Sequence, residues 1–486
     1  MLKNIREKYN QIPIAVKASL WFVICSVLKD IIDVLATPIF TRILTADQYG
    51  IYNVYHSWFQ IFKIIFTLYL FSDVFNVGLL RFEKDRDRFI SATLGIITAI
   101  TGVFFILYLL TDTFWNRIFD LPGFMVVFLF VQVLAYVPYH CWIRRERFDY
   151  HYKGVTIVSF MYVFLQPVLG VLAVCCLDVP LNPGYSRVIA AVSVQIVIGM
   201  TLYIGMMYRG KKFFHGGYWK YSLKTGVVLI PFNLSKVVLN HSDRIMIDSF
   251  LGRAEAGIYS VAHSGAFVIQ AVMEGINGAF VPWLYRKLKK EDYDGIVSVV
   301  NTLILIAAAA VVSISLVAPE VMKFLADDDY YIGVYCIPPL TYSVYLIFIY
   351  TLFSDIELFY GKNGNVTIVS AVGSVVNIIL NALFIPAYGF AAAGYTTLAS
   401  YIVMCAGNYF FVRKCFKDAG VNGERIYNLK FMLLSSAALL VFSMVCVALY
   451  DWMILRVGLL AACVLIMIIF RNRWMGIYRE MRKNDL

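Results

Sequence analysis

Long apolar runs broken by short polar connections dominate the chain. A bilayer-spanning helix needs about 20 mostly apolar residues, and fourteen runs of that kind can be marked: roughly 18–40, 51–80, 89–111, 122–141, 155–177, 188–208, 225–248, 257–284, 295–318, 332–360, 365–386, 389–412, 430–450 and 453–470. The breaks at 79–90 and at Asp451 are clear, whereas the one at Pro386-Ala387-Tyr388-Gly389 is tight. The pattern predicts an all-α polytopic membrane protein with no room for a folded domain in any connection.

Composition agrees. Of 486 residues, 60% are apolar and 15% charged, where a soluble protein carries about a quarter charged. A mean hydropathy of +0.73 excludes a water-soluble fold. The nine cysteines fall in apolar runs or beside basic loops and include no C-x-x-C, so they read as small apolar fillers and not as zinc or redox sites. No small-residue cleavage site follows the first apolar run, so no removable signal peptide is expected.

The basic residues sort by connection. With the N-terminus inside, 32 Lys and Arg lie on the inner side and six on the outer side, in connections or, for Arg244, at the outer end of span 7: Arg42, Arg117, Arg187, Arg244, Arg253 and Lys323. That bias, in strict alternation, fits the positive-inside rule with both termini cytoplasmic. It accounts for the net charge of +11 without nucleic acid as a partner.

Residues 50–57, Gly-Ile-Tyr-Asn-Val-Tyr-His-Ser, match 257–264, Gly-Ile-Tyr-Ser-Val-Ala-His-Ser, at six of eight positions and an offset of 207. The copies open spans 2 and 8. An even number of spans apart, they predict two six-helix lobes in parallel repeat about a pseudo-two-fold axis along the membrane normal, followed by a helix pair. The expected division is an N-lobe at 1–208, a basic cytoplasmic linker at 209–224, a C-lobe at 225–412, and a final pair with a basic tail at 413–486.

The same offset relates Ser26, Lys29, Asp33 and Thr37 of span 1 to Asn233, Lys236, Asn240 and Arg244 of span 7. Steps of three and four residues keep each set on one helix face. A buried ammonium costs at least about 2.5–3.5 kcal/mol, so Lys29 and Lys236 should face a cavity or a partner. For Lys29 a local pair with Asp33 is the competing reading; Lys236 has no acid one turn away. Span 2 adds His56, Gln60, Lys63 and Thr67, and span 8 adds His263, Gln270 and Glu274. Both histidines read as interfacial, and Asp73, Asp355 and Glu357 as solvated groups at the inner ends of spans 2 and 10. Pro138, Pro167, Pro231, Pro282 and Pro338-Pro339 are expected inside spans 4, 5, 7, 8 and 10. Asp327-Asp328-Asp329 reads as a solvated acidic turn. The chain contains no G-x-x-x-x-G-K-[ST], H-E-x-x-H or G-x-S-x-G.

Fourteen spans, two six-helix lobes and a final pair resemble the polysaccharide-exporter branch of the multidrug/oligosaccharidyl-lipid/polysaccharide (MOP) superfamily. The segment Thr41-Arg42-Ile43-Leu44-Thr45-Ala46-Asp47-Gln48-Tyr49-Gly50-Ile51-Tyr52 resembles the helix end, short acidic loop and Tyr-Gly of O-antigen-type flippases. The resemblance implies a non-enzymatic flippase in a bacterial or archaeal cytoplasmic membrane. It would carry undecaprenyl-diphosphate-linked oligosaccharide from the inner to the outer leaflet by alternating access, beside other polysaccharide-assembly membrane proteins. On that reading Lys29, Lys236, Lys63 and Arg244 bind the diphosphate. Asp30, Asp33 and Glu274 are candidates for a coupling H⁺ or Na⁺, with no other cofactor and no metal site. Three alternatives stand beside it: a lipid II-type flippase, whose basic-acidic pair in span 1 Lys29-Asp30 resembles; a MATE-type multidrug antiporter, which has twelve spans and an acidic cavity; and a polysaccharide polymerase or ligase, which has a large outer loop.

The topology makes a direct prediction. Single cysteines at Asn182 and Asp328 should react with an impermeant thiol reagent from outside, and those at Lys212 and Lys417 only from inside. Reversal at any one site breaks the model of fourteen spans with inner termini.

Overall fold

The computed structural model describes residues 13–176, 181–469 and 471. Every regular element among them is a helix. In chain order these are α1 (Ile14–Ile43), α2 (Ala46–Thr67), α3 (Asp73–Arg81), α4 (Arg86–Leu110), α5 (Asp112–Phe119), α6 (Gly123–Phe148), α7 (Tyr152–Cys176), α8 (Pro183–Gly210), α9 (Gly216–Gly226), α10 (Ile230–Leu251), α11 (Arg253–Lys289), α12 (Ile296–Leu316), α13 (Ala318–Leu325), α14 (Ile337–Phe359), α15 (Asn363–Tyr388), α16 (Ala391–Ala419), α17 (Leu429–Ala448) and α18 (Met453–Ile469). Fourteen correspond to the predicted spans; α3, α5, α9 and α13 are short connecting helices. Ten stretches are long and apolar enough to cross a bilayer by that criterion alone; α1, α2 and α16 are not among them, and α18 has 17 residues. The protein is a multi-pass, all-α membrane bundle of fourteen transmembrane helices.

The chain forms two compact units, 1–241 and 242–486. The boundary falls inside α10, whereas the sequence suggests the linker at 209–224. The cause is local. The linker folds as α9 and packs on the N-unit: Trp219 Nε1 donates to Ala92 O at 2.9 Å, and Tyr218 sets its ring edge on Phe82 and Phe89. Gly95 admits the linker backbone, since a Cβ there would lie 2.0 Å from Phe213 O.

In the N-unit, α2 starts from a capping box in which Thr45 and Gln48 exchange side-chain and backbone hydrogen bonds. Span 2 is not one helix. It stops at Thr67, and Leu68 and Tyr69 take left-handed φ of 48° and 54°, conformations costly for residues with a Cβ. Thr67 Oγ1 holds the break by accepting from Tyr69 N at 3.1 Å. Helices α6 and α8 cross closely at Gly199, where a Cβ would meet Ala135 O at 1.9 Å. The apolar interior is largely aromatic, with Phe62 stacked on Phe66 and Phe66 on Phe130. Arg187 lies inside this unit, 6% exposed, with its guanidinium carbon 3.7 Å from the Phe40 ring centroid and 3.8 Å from that of Tyr52.

In the C-unit, α14 is the central helix, with 83% of its apolar window buried. Pro338 and Pro339 open it instead of kinking it; the residues before them, 328–336, form a 3₁₀ segment. Proline suits the first turn because its missing N–H has no partner there anyway. The turn Asp328-Asp329 is exposed, as expected of a solvated acidic loop. Helix α18 is fastened by Arg456, which grips Glu320 of α13 with both terminal nitrogens, at 2.7 and 2.9 Å, and Leu316 O at 2.8 Å. All described cysteines are free.

The Arg456–Glu320 fork yields a stability prediction. About half of Glu320 is exposed, which reduces the expected cost of Glu320→Gln to about 1–2 kcal/mol, seen as a fall of a few degrees in Tm in detergent. The Arg456 guanidinium holds the Glu320 carboxyl below the ordinary glutamate value of 4.5. The pair's contribution is therefore full above that value and fades as pH falls below it. Wild type and Glu320→Gln should converge in Tm at low pH; a constant gap there would contradict the assignment.

Candidate functional site

The N-unit concentrates cations on a polar line along α1, α2 and α6. Lys63, in the C-terminal half of α2, is the centre. Its ammonium donates to Gln60 Oε1 one turn back and lies 5.2 Å from the Tyr136 ring centroid and 5.9 Å from that of Phe59. Gln60 Nε2 in turn meets His56 Nε2 at 2.8 Å. Tyr136 packs its ring at a tilt on His140, with a centroid separation of 4.0 Å. His140 stands in the field of Lys63, Arg144, Arg147 and Lys29, and Lys29 acts on Lys63. No carboxylate contacts Lys63 among the described residues. Its neighbours are an amide and two rings, which answer a cation more weakly than an anion does.

Lys29 is exposed and pairs with Asp33 Oδ2 at 3.1 Å, with side-chain exposures of 55% and 62%. The local pair and the exposed position therefore coexist. The side chain of Asp30 lies outside those described. Lys236 is exposed on α10, with its ammonium 5.3 Å from the Phe232 ring centroid. The rest of its stripe turns onto the helix itself: Asn233 donates to Leu229 O and Asn240 to Lys236 O, each at 3.0 Å. The structure thus brings Lys29 and Lys63 into one field. Arg244 belongs to the C-unit and is buried there, its Nε donating to Ser260 Oγ at 3.2 Å.

The most extensive polar group in the C-unit surrounds Asp243, beside Arg244. Asp243 Oδ1 accepts from Asn381 Nδ2 at 2.7 Å. Its Oδ2 accepts from Tyr259 OH at 2.7 Å and from Thr397 Oγ1 at 2.8 Å. Asn377 joins Asn381, Thr397 and Ser242 to the same cluster. Four helices, α10, α11, α15 and α16, meet on one buried carboxylate. Sequence reading passes over it because the repeat aligns Asp243 with Ala36, so no pseudo-equivalent flags it. The available signal was Asn377 and Asn381, four residues apart on one face of an otherwise apolar helix.

Glu274 is exposed on α11 and accepts from Gln270 Nε2 at 2.8 Å, beside a cavity of about 220 Å³. Asp73 is exposed as expected. Asp355 and Glu357 are not: they are 6% and 0% exposed. The sequence places them at a helix end open to solvent, but α11, α15 and the connection before α17 cover that end.

The fold of this bundle is similar to that of several solved membrane transporters. It matches the lipid II flippase MurJ in an inward closed conformation at a TM-score of 0.63 and 15% identity, over 93% of this chain and 99% of that one. It also matches an inward-facing MATE-family multidrug resistance transporter at 0.60 and 12%, over 80% and 95%. A MOP superfamily transporter from Pyrococcus furiosus, described as having a binding pocket of reversed polarity, matches at 0.52 and 14%, over 84% and 96%. The profile of the polysaccharide biosynthesis protein family matches residues 15–288, more than half of the chain, and the chain belongs to that family. No curated protein matches its sequence significantly.

Removing the Asp243 carboxylate strands three buried donors, each costing about 1–3 kcal/mol. Asp243→Ala should therefore lower Tm in detergent far more than Asp243→Asn, which keeps one acceptor. Equal loss in the two variants would mean the cluster contributes shape and not hydrogen bonding.

Proposed function

We propose that this protein flips a polyprenyl-diphosphate-linked oligosaccharide across the cytoplasmic membrane for cell-surface polysaccharide synthesis. The observation that carries the reading is Lys63, a cation with neutral neighbours in the field of a second, exposed lysine. A diphosphate supplies the missing anion. Lysine suits a load that must be released, because it acts as a point charge without arginine's rigid fork. Lys29, Lys63 and Lys236 hold the diphosphate in this reading. The sugars occupy the hydrated side of the path and the polyprenyl tail stays in lipid. Alternating access follows from two helical units moving as bodies. Family membership supports a role in polysaccharide synthesis, and the transporter fold supports translocation over bond-making.

The drive is a coupling H⁺ or Na⁺. To the sequence candidates Asp30, Asp33 and Glu274 the structure adds Asp243, a buried carboxylate ringed by neutral amides and hydroxyls, the kind of intramembrane acid that takes an ion in exchange for its donors.

The test is transport in proteoliposomes. Each charge-assisted contact contributes about 1.5–3 kcal/mol, roughly tenfold to hundredfold in binding. Lys63→Gln and Lys29→Gln should each reduce flipping of a labelled lipid-diphosphate oligosaccharide by about that factor at unchanged protein level, with Lys→Arg retaining more. Transport of a peptidoglycan precursor or of a cationic dye in preference to the oligosaccharide would favour the lipid II or the multidrug reading. Normal flipping by both Gln variants would remove these lysines from the site.

A further inference from the structure

Two carboxyl groups in the C-unit have no role in the reading above, and their surroundings are unusual. Asp355 and Glu357 lie near the end of α14, both more than nine-tenths buried. Neither oxygen of Glu357 has a partner at hydrogen-bond geometry, and neither has Asp355 Oδ2; the nearest donors are single neutral amides, Asn365 for Glu357 and Asn277 for Asp355, which approach without a well-formed bond. Nearly all buried polar atoms in folded proteins are hydrogen-bonded, and an ionised carboxylate buried without donors is among the costliest arrangements a fold can hold. Two such groups two residues apart cannot both be bare anions.

Every element packed around them is neutral at its point of approach. Asn277 and Tyr285 of α11 face Asp355, and Tyr285 OH donates to the Asp355 backbone carbonyl, not to its carboxylate. Asn365 of α15 and Cys415 of α16 face Glu357. Tyr427, from the connection before α17, stands near both and spends its hydroxyl on Leu352 O. On their own helix, Tyr350 bonds Ser370. The charged groups at this end are Lys362 and Asp418, beside Cys415, and Glu291, which acts on Tyr360. Among the described residues no cation lies within ion-pair distance of either carboxylate.

Asp355 also has a route outward. Asn277 belongs to the wall of the 220 Å³ cavity between α11 and α14, together with Gln270, Glu274 and Thr351. Thr351 is one turn before Asp355 on α14. The cavity thus runs from the exposed carboxylate of Glu274 toward the buried carboxyl of Asp355, with Asn277, whose buried Oδ1 also has no donor, between them.

We propose that Asp355 and Glu357 are a proton-binding pair. Both carry a proton in the conformation described. Asp355 exchanges its proton along the cavity past Asn277 toward Glu274, and the pair ionises when that end of the C-unit opens to water. The proton is the ligand because a sodium ion would require several converging oxygens, whereas Glu357 faces an amide and a thiol. This goes beyond the flippase reading and its first half does not depend on that reading.

Infrared spectroscopy of the purified full-length protein in nanodiscs tests the protonation directly. At neutral pH the wild type should show protonated-carboxyl C=O absorption that disappears on alkalinisation. Asp355→Asn and Glu357→Gln should each remove part of it, and the double variant should remove both parts. The isosteric amides should leave Tm at mildly acidic pH unchanged. If wild type shows no such absorption at neutral pH, a measurement that needs no variant, or if the double variant keeps it in full, the proposal fails. The second arm measures initial flipping of a labelled lipid-diphosphate oligosaccharide between pH 5.5 and 8.5, a range of roughly a thousandfold in proton activity. The double variant should lose the pH dependence of the wild type, and an unchanged profile would overturn the exchange role. Absence of flipping in the wild type would defeat the flippase reading while leaving the infrared result standing, so the two failures are distinct.

Discussion

A charge held in hydrocarbon must be met by something, and the answer given to each charge organises this protein. Arg187 is met by the faces of Phe40 and Tyr52, which joins α1 and α2 to α8 through a contact that releases no charge to lipid. Arg456 is met by a carboxylate fork, and α18 is thereby fixed to the C-unit. Asp243 is met by a tyrosine, an asparagine and a threonine from three helices. In each case the group that answers the charge also sets which helices are neighbours. Lys63 departs from this pattern. It is held in place by Gln60 and by aromatic rings, but its charge is left without an anion. Among the described residues its nearest answers are an amide and two aromatic rings, which distinguishes it from Arg187, Arg456 and Asp243.

The helices are interrupted at defined points, and each interruption serves the packing around it. Span 2 carries Lys63 at the end of one helix, directly before the left-handed turn at Leu68 and Tyr69. The break lets α2 present Lys63 inward while α3 turns away to receive the linker helix, whose Tyr221 hydroxyl reaches Val74 O at 3.4 Å. The opening of α14 by two prolines, after a 3₁₀ segment, concentrates irregular backbone at one end and leaves the rest of the most buried helix of the C-unit regular.

Span number and helical class were legible because apolar run length and the sidedness of Lys and Arg are properties of the chain alone. The cationic line was legible in part, since Lys29 and Lys63 stand out against apolar neighbours. What remained hidden depends on distant contacts. Asp243 gains its meaning from Asn381 and Thr397, more than 130 residues away. Asp355 and Glu357 look like end groups until the elements that cover them are in place. Arg244 sits on a predicted polar stripe, yet Ser260 takes its Nε within the C-unit. The linker at 209–224 reads as a basic connection because nothing local announces that Trp219 will find Ala92 O.

That docked linker also bears on the order of events during synthesis. Its partners, Val74, Phe82, Phe89 and Ala92, all precede it in the chain. Each is already made when α9 emerges, so the helix has its seat before α11 exists. Domains generally fold as units from the N-terminus during translation. A clasp made only of residues already translated lets the first half mature without waiting for the second. The ribosome then adds the C-unit to a finished neighbour instead of to an open chain.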